Sequence, residues 1–150
     1  MEKFVRNLGL NVDPSAQLPQ LALTLDAQHR AVTRQKVTLS DGSHAGIFLP
    51  TGTIMRPYEI LESESGTKVL VIPAAEEVYV ASCTDPLIFA KACYHLGNRH
   101  VPLEIRDLEL AFLPDAVLAE LCPKLGLTVR IEERPFVPES GAYHHHAHHH

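Results

Sequence analysis

The sequence is poor in cysteine, has no long apolar run and contains no cluster of basic residues. Its mostly apolar stretches, such as Val69–Ile72 and Ile47–Pro50, are far shorter than the ~20 residues that a membrane-spanning helix needs. The formal net charge is −5, and no Lys/Arg stripe is available to phosphate groups. We therefore expect partners that are neither membranes nor nucleic acids.

The three cysteines are Cys83, Cys93 and Cys122, an odd number with no Cys-x-x-Cys pair. This spacing fits neither a disulfide framework nor a thiolate zinc site. We expect all three to be small buried hydrophobic residues in a reducing compartment. The segment Met1–Leu10 lacks the basic flank and apolar run of a secretory signal, so the expected location is cytoplasmic.

Sequence patterns of catalysis are also missing. The chain has no glycine-rich phosphate loop, so we do not expect it to hydrolyse a nucleotide. Ser40, Asp41 and His44 lie close in sequence, but neither a strained nucleophile turn nor a separately placed base accompanies them. The sequence therefore predicts a protein that is not an enzyme and has no organic cofactor.

What the chain does have is histidine at its C-terminus. Six of its ten histidines lie in the last seven residues: His144, His145, His146, His148, His149 and His150. Neutral imidazole is the commonest protein ligand for nickel, copper and zinc, and several imidazoles on a tether suit many geometries. An engineered purification tag is the alternative interpretation. Ala147 interrupts the run and no linker precedes it, which favours a native metal-binding tail.

The first half, residues 1–73, is predicted as an all-β, partner-binding domain. Apolar residues alternate through the first candidate strand, as in a half-buried strand. An Asp41-Gly42 turn joins the second and third strands and is a strong hairpin signal. The four predicted strands cover residues 21–25, 34–39, 44–49 and 68–72, and Pro73-Ala74-Ala75 is the expected linker.

The second half, residues 76–134, is predicted as a ferredoxin-like βαββαβ domain. Its helices begin after Asp85 and Asp115, each able to accept hydrogen bonds from first-turn amides, and Gly97 and Gly126 are placed to end them. The second helix is predicted over residues 115–124, and within it Pro123 should end the helix one turn early or bend it. The predicted strands cover residues 78–82, 103–106, 109–112 and 127–132.

Residues 133–143 are expected to form the extended root of a tail, and 135–150 a flexible, disordered histidine-rich tail. The fold class is therefore α+β. Within the second domain, His95 and His100 flank Gly97 and so are candidate metal ligands. Spacing alone is weak support, since a histidine at a helix C-terminus is often a partner of the helix dipole. His29 and His44 are expected to be surface or loop residues.

The stretch Ala92–Leu103, with its Gly97-Asn98-Arg99-His100 core, resembles the signature of the urease accessory nickel metallochaperone family. Further segments carry the same resemblance: Phe48–Thr53, Asp85-Pro86, Gly126–Val129 and Pro135–Tyr143. It covers nearly the whole chain. One departure is Phe112–Ala116, where some relatives carry histidines and this chain has none. A second metal site within the domain is therefore not expected.

The resemblance implies a chaperone that binds Ni(II) and delivers it to apo-urease during active-site assembly. It implies a homodimer formed through the C-terminal domain, with His100 of each subunit meeting at the interface and the tail histidines supplying further ligands; zinc or copper should also bind in vitro. The implied partners are a urease accessory GTPase, other urease maturation proteins and apo-urease. His95 is a ligand candidate of lower rank. The alternative is a histidine-rich divalent-metal storage protein without a dedicated client.

Overall fold

The computed structural model describes residues 1–140 and contains mostly strands with a few helices. The chain divides into two compact units, Met1–Ala74 and Ala75–His150. The longest described helix has twelve residues, and no helix in the described range is long and apolar enough to cross a membrane.

The first unit is built on a six-stranded sheet of order β2-β6-β5-β1-β4-β3. The β1–β4 and β2–β6 pairs are parallel, and the other neighbours are antiparallel. The strands are β1 (Glu2–Leu10), β2 (Ala22–Leu25), β3 (Arg34–Thr38), β4 (His44–Phe48), β5 (Glu59–Ser63) and β6 (Lys68–Pro73). Phe4, Ile47 and Leu61 are fully buried at the centre of its core.

The predicted hairpin is confirmed. Strands β3 and β4 pair antiparallel, and the turn between them has Gly42 at a φ of +85°. The Asp41 carboxylate accepts hydrogen bonds from the Ser43 amide (2.9 Å) and the Ser43 hydroxyl (2.6 Å), which lower the pKa of Asp41. The Ser40 hydroxyl accepts from the Ala22 amide (2.9 Å). These polar residues therefore build a turn.

Three features of this unit differ from the sequence prediction. Strands β1 and β5 were not predicted, and a one-turn helix, α1 (Ala27–Arg30), makes the unit not strictly all-β. The pairing of β1 with β5 has two register shifts, and a bulge breaks the period-two alternation on which strand prediction depends. Only Ala74 lies between the two units' strands, instead of the expected three-residue linker, since β6 ends at Pro73 and β7 begins at Ala75.

The second unit has the predicted succession of elements, strand-helix-strand-strand-helix-strand. They are β7 (Ala75–Ser82), α2 (Pro86–Gly97), β8 (Glu104–Arg106), β9 (Glu109–Phe112), α3 (Ala116–Lys124) and β10 (Thr128–Pro135). The sheet is antiparallel throughout, in the order β10-β7-β9-β8. Both helices pack on one face, where Leu96 and Cys122 share a buried cluster with Leu110 and Phe112.

One predicted boundary in this unit is confirmed and another is wrong. Helix α3 ends at Lys124, as predicted, and Pro123 does not shorten it, because a proline in the last turn removes only one helical hydrogen bond. Strand β10 pairs with β7 as far as Pro135, and the following Phe136 is 0% exposed. Residues 133–136, predicted as the root of a tail, are therefore part of the folded unit.

Candidate metal site

Helix α2 carries His95 and leads into the turn that carries His100, and it begins where the sequence predicts. The Asp85 carboxylate accepts hydrogen bonds from the amides of Leu87 (2.8 Å) and Ile88 (3.3 Å), and Pro86 occupies the first turn. Both features stabilise a helix N-terminus, since they satisfy or remove amides that lack a partner within the helix. The local sequence thus fixes where α2 starts.

The far end of α2 is anchored by Ala92 and Leu96, both 0% exposed. His95, between them in the last turn, is exposed. Its ring meets that of Tyr94 edge to face, with centroids 5.4 Å apart and an interplanar angle of 76°. Because Leu96 is held in the core, His95 is fixed at the solvent-facing end of the helix.

Helix α2 ends at Gly97, as predicted. Gly97 is not among the residues with positive φ; the left-handed residue is His100, at a φ of +56°. The His100 amide donates to the Gly97 carbonyl (3.1 Å), and the Arg99 amide donates to the Leu96 carbonyl (3.1 Å). A non-glycine residue with positive φ is uncommon and marks a constrained position.

His100 is exposed and lies three residues beyond the end of α2. Val101 and Pro102 follow, and Leu103 returns to the core at 5% exposure. The residue before a proline is driven away from helical backbone, which directs the chain out of the turn after His100. His95 and His100, which flank Gly97 in the sequence, are therefore presented at the same end of α2.

Within residues 1–140, no three His, Cys, Asp or Glu side chains are grouped so that they could hold a metal ion. The other predicted ligands lie outside the described residues: His144, His145, His146, His148, His149 and His150.

The cysteines are poor ligand candidates. Cys122 is 0% exposed, and burial raises the pKa of its thiol to about 11. Burial also raises the pKa of Cys93, with a smaller contribution from the charge of Cys83. A metal binds the thiolate, so a raised pKa disfavours ligation near neutral pH. Cys83 and Cys93 are only half-buried, contrary to the expectation that all three thiols are buried.

The other two histidines have structural partners, as expected for surface and loop residues. The His29 ring nitrogen lies 2.7 Å from the Asp26 carboxylate, which also accepts from the His29 amide and caps α1. The His44 ring nitrogen lies 3.3 Å from the Thr38 hydroxyl across the β3–β4 hairpin. Both histidines belong to the first unit, whereas α2 belongs to the second.

Comparison with known proteins identifies relatives along nearly the whole chain. Two family models match: the N-terminal domain of the UreE urease accessory protein over residues 1–74, and its C-terminal domain over residues 76–150. The relatives include the urease accessory protein UreE of Aliivibrio fischeri strain MJ11, 44% identical over 87% of this chain and 84% of that protein.

Two further relatives have the same name. The protein of the same name from Citrobacter koseri is 45% identical over 91% of this chain and 93% of its own length. That of Escherichia coli O157:H7 is 46% identical over 86% of each. All three are named as accessory proteins and not as enzymes. With both family models matched in order and this identity over most of its length, the chain belongs to the UreE urease accessory protein family.

Proposed function

We propose that this chain takes part in urease maturation by binding Ni(II) and delivering it to apo-urease. As a member of an accessory-protein family it is not an enzyme. The observation that carries the proposal is the placement of His100, an exposed imidazole on a constrained turn at the end of a core-anchored helix. We place this function in the cytoplasm.

The nickel site in this proposal is shared by two subunits. A two-fold axis through the C-terminal units would bring the same residue from each chain to one place, so a pair of His100 imidazoles could hold one ion. Two imidazoles leave coordination positions open, and imidazole suits nickel as it suits zinc and copper. His95 is a secondary ligand or orients the site.

The tail supplies the remaining ligands. His144, His145, His146, His148, His149 and His150 are tethered to the folded unit, and a tether raises the local concentration of ligand at the site. A tail imidazole can close the coordination shell and then leave when a client protein displaces it. The family match, which runs to residue 150, supports a native tail over a purification tag.

The partners proposed are a second copy of this chain, a urease accessory GTPase, other urease maturation proteins and apo-urease itself. We assign metal binding and dimerisation to residues 76–134, partner binding to 1–73, and additional nickel capacity to the tail histidines. The strand order β10-β7-β9-β8, with both helices on one face, supports a ferredoxin-like arrangement for the metal-binding domain.

An activation assay distinguishes delivery from storage. Purified apo-urease, its maturation proteins and limiting nickel are mixed with or without this chain, and urease activity is measured over time. At the same total nickel, delivery predicts that urease activity is higher with the chain than without it, and that His100→Gly raises the activity less. A storage protein would withhold nickel and lower the activity, and that result would overturn the proposal.

A further inference from the structure

The outer surface of the first sheet is unexpectedly basic. We call it the cationic face, defined by five exposed side chains on β1, β3 and β6: Lys3, Arg6, Arg34, Lys36 and Lys68. They are scattered along the sequence and form no basic run. Strand pairing collects them on one surface.

Strand register places three of them side by side. Lys3 and Lys36 both pair with Gly46, from opposite sides of β4, and Arg34 pairs with Phe48. Successive residues of a strand face opposite sides of the sheet. Since the neighbouring Ile47 is 0% exposed in the core, Gly46, Phe48 and their cross-strand partners face outward.

A bulge adds Arg6 to this face. Phe4 pairs with Ser63 and is buried, so in a regular strand Arg6 would also face the core. The register shift between Phe4 and Arg6 instead sets Arg6 opposite Glu62, where its Nε lies 3.0 Å from the Glu62 carboxylate. Lys68 pairs with Glu62 from the other side. Bulges commonly re-aim a side chain in this way.

An aromatic ring lies in the middle of the cationic face. Phe48 is 38% exposed, and a Cβ on Gly46 would stand 2.6 Å from its ring, so the ring lies across the space that glycine leaves. The Lys3 Nζ and the Arg34 guanidinium carbon each lie 5.8 Å from the ring centroid. At this distance a cation interacts favourably with an aromatic face. The face thus combines positive charge with a flat apolar centre.

The positive charge of this face contrasts with the negative net charge of the chain. Residues 1–74 contain seven Lys and Arg and seven Asp and Glu, and five of those seven cations lie on this face. The net charge of −5 therefore belongs entirely to the rest of the chain. A locally positive surface on a negative chain favours an acidic partner that meets it at one place.

We propose that the cationic face docks an acidic segment of a partner protein. Carboxylates of the segment meet Lys3, Arg34 and Lys36, and an apolar side chain covers Phe48. A protein fits better than a nucleic acid, because Glu62 lies within the face and the chain as a whole would repel a dense polyanion. The assignment does not depend on nickel binding.

The test measures binding of a labelled peptide in which glutamate alternates with leucine, using the full-length chain and fluorescence anisotropy. Lys3→Glu/Arg34→Glu/Lys36→Glu should weaken binding about tenfold or more, because three attractive charges become repulsive. The control, Arg56→Glu/Lys91→Glu/Lys124→Glu, makes the same change in net charge at exposed positions outside the face. It should weaken binding far less.

Two further arms complete the experiment. If the triple glutamate variant loses its fold by circular dichroism, the triple glutamine variant at the same positions should still weaken binding. Phe48→Ala should weaken it without reducing its salt dependence, since a ring and not a charge is removed. The proposal would be overturned if the control and face variants lost the same peptide affinity, or if the parent chain did not bind the peptide. Tighter binding of a uridine oligonucleotide than of the peptide would also overturn it.

Discussion

The amide of His100 donates a hydrogen bond to the carbonyl of Gly97 at 3.1 Å, and in this turn the histidine, not the glycine, has the left-handed backbone. Helical hydrogen bonding therefore runs through Gly97, and the reversal falls on the residue predicted as a ligand. His100 consequently has two separable roles, one of its backbone and one of its imidazole.

The backbone role predicts different stabilities for two substitutions that both remove the imidazole. His100→Gly should be more stable than His100→Ala by about 1 kcal/mol, because a left-handed conformation is unfavourable for any residue with a Cβ. Urea denaturation followed by far-UV circular dichroism measures both. Equal stabilities would show that the turn relaxes when the histidine is replaced.

The burial of Phe136 predicts that the folded unit extends past residue 135. Phe136→Ala should lower the free energy of unfolding by about 3–5 kcal/mol, as expected when a fully buried phenyl ring is removed. The neighbouring Val137 is 39% exposed, so Val137→Ala is a matched control with an effect of about 1 kcal/mol or less. If both substitutions lowered the free energy of unfolding by a similarly small amount, Phe136 would not be part of the folded unit.

The raised pKa values of two cysteines predict that thiols are not needed for nickel binding. A variant with Cys83→Ser, Cys93→Ser and Cys122→Ala should bind nickel with unchanged affinity at neutral pH. Alanine is chosen at Cys122 because a buried hydroxyl without a partner would destabilise the core. Nickel titration of the folded variant is the measurement, and a large loss of affinity would identify a thiolate ligand.

Because six histidines lie after Tyr143, we expect this segment to bind most of the nickel ions that the chain can hold. A chain ending at Tyr143 should bind fewer ions than the full chain by equilibrium dialysis. A full-length variant with asparagine at the six tail histidines should behave like the truncated chain, which separates loss of imidazole from loss of length. Unchanged stoichiometry in both variants would contradict a role for the tail.

Elements set by local chemistry could be predicted from the sequence. Asp41-Gly42 identified the β3–β4 hairpin, and Asp85-Pro86 identified the start of α2, because turn and capping preferences act within a few residues. Strand β1 could not be predicted in this way. Its two register shifts break the alternation that marks a half-buried strand, and they are visible only once β5 is paired beside it.

Features that depend on contacts between residues distant in sequence could not be predicted either, because the sequence does not show those contacts. Gly97 correctly indicated the end of α2, but the positive φ of His100 follows from the turn beyond it and was not predicted. The cationic face is invisible in the sequence because Lys3, Arg34 and Lys36 meet only through their shared neighbours on β4. The candidate ligand His95 could be named without such contacts, because it rested on its position beside Gly97 and on the resemblance of the Ala92–Leu103 stretch.

In the proposed nickel site, His100 of each of two subunits binds the same ion. The direct test is nickel titration calorimetry of chains ending at Tyr143, comparing the parent sequence, His100→Gly and His95→Ala, with the oligomeric state checked by light scattering. A site shared by two subunits predicts that His100→Gly loses tight nickel binding, because one substitution removes two ligands from the same ion, while His95→Ala weakens it less. If His100→Gly remains dimeric and binds nickel as tightly as its parent, the shared site is wrong.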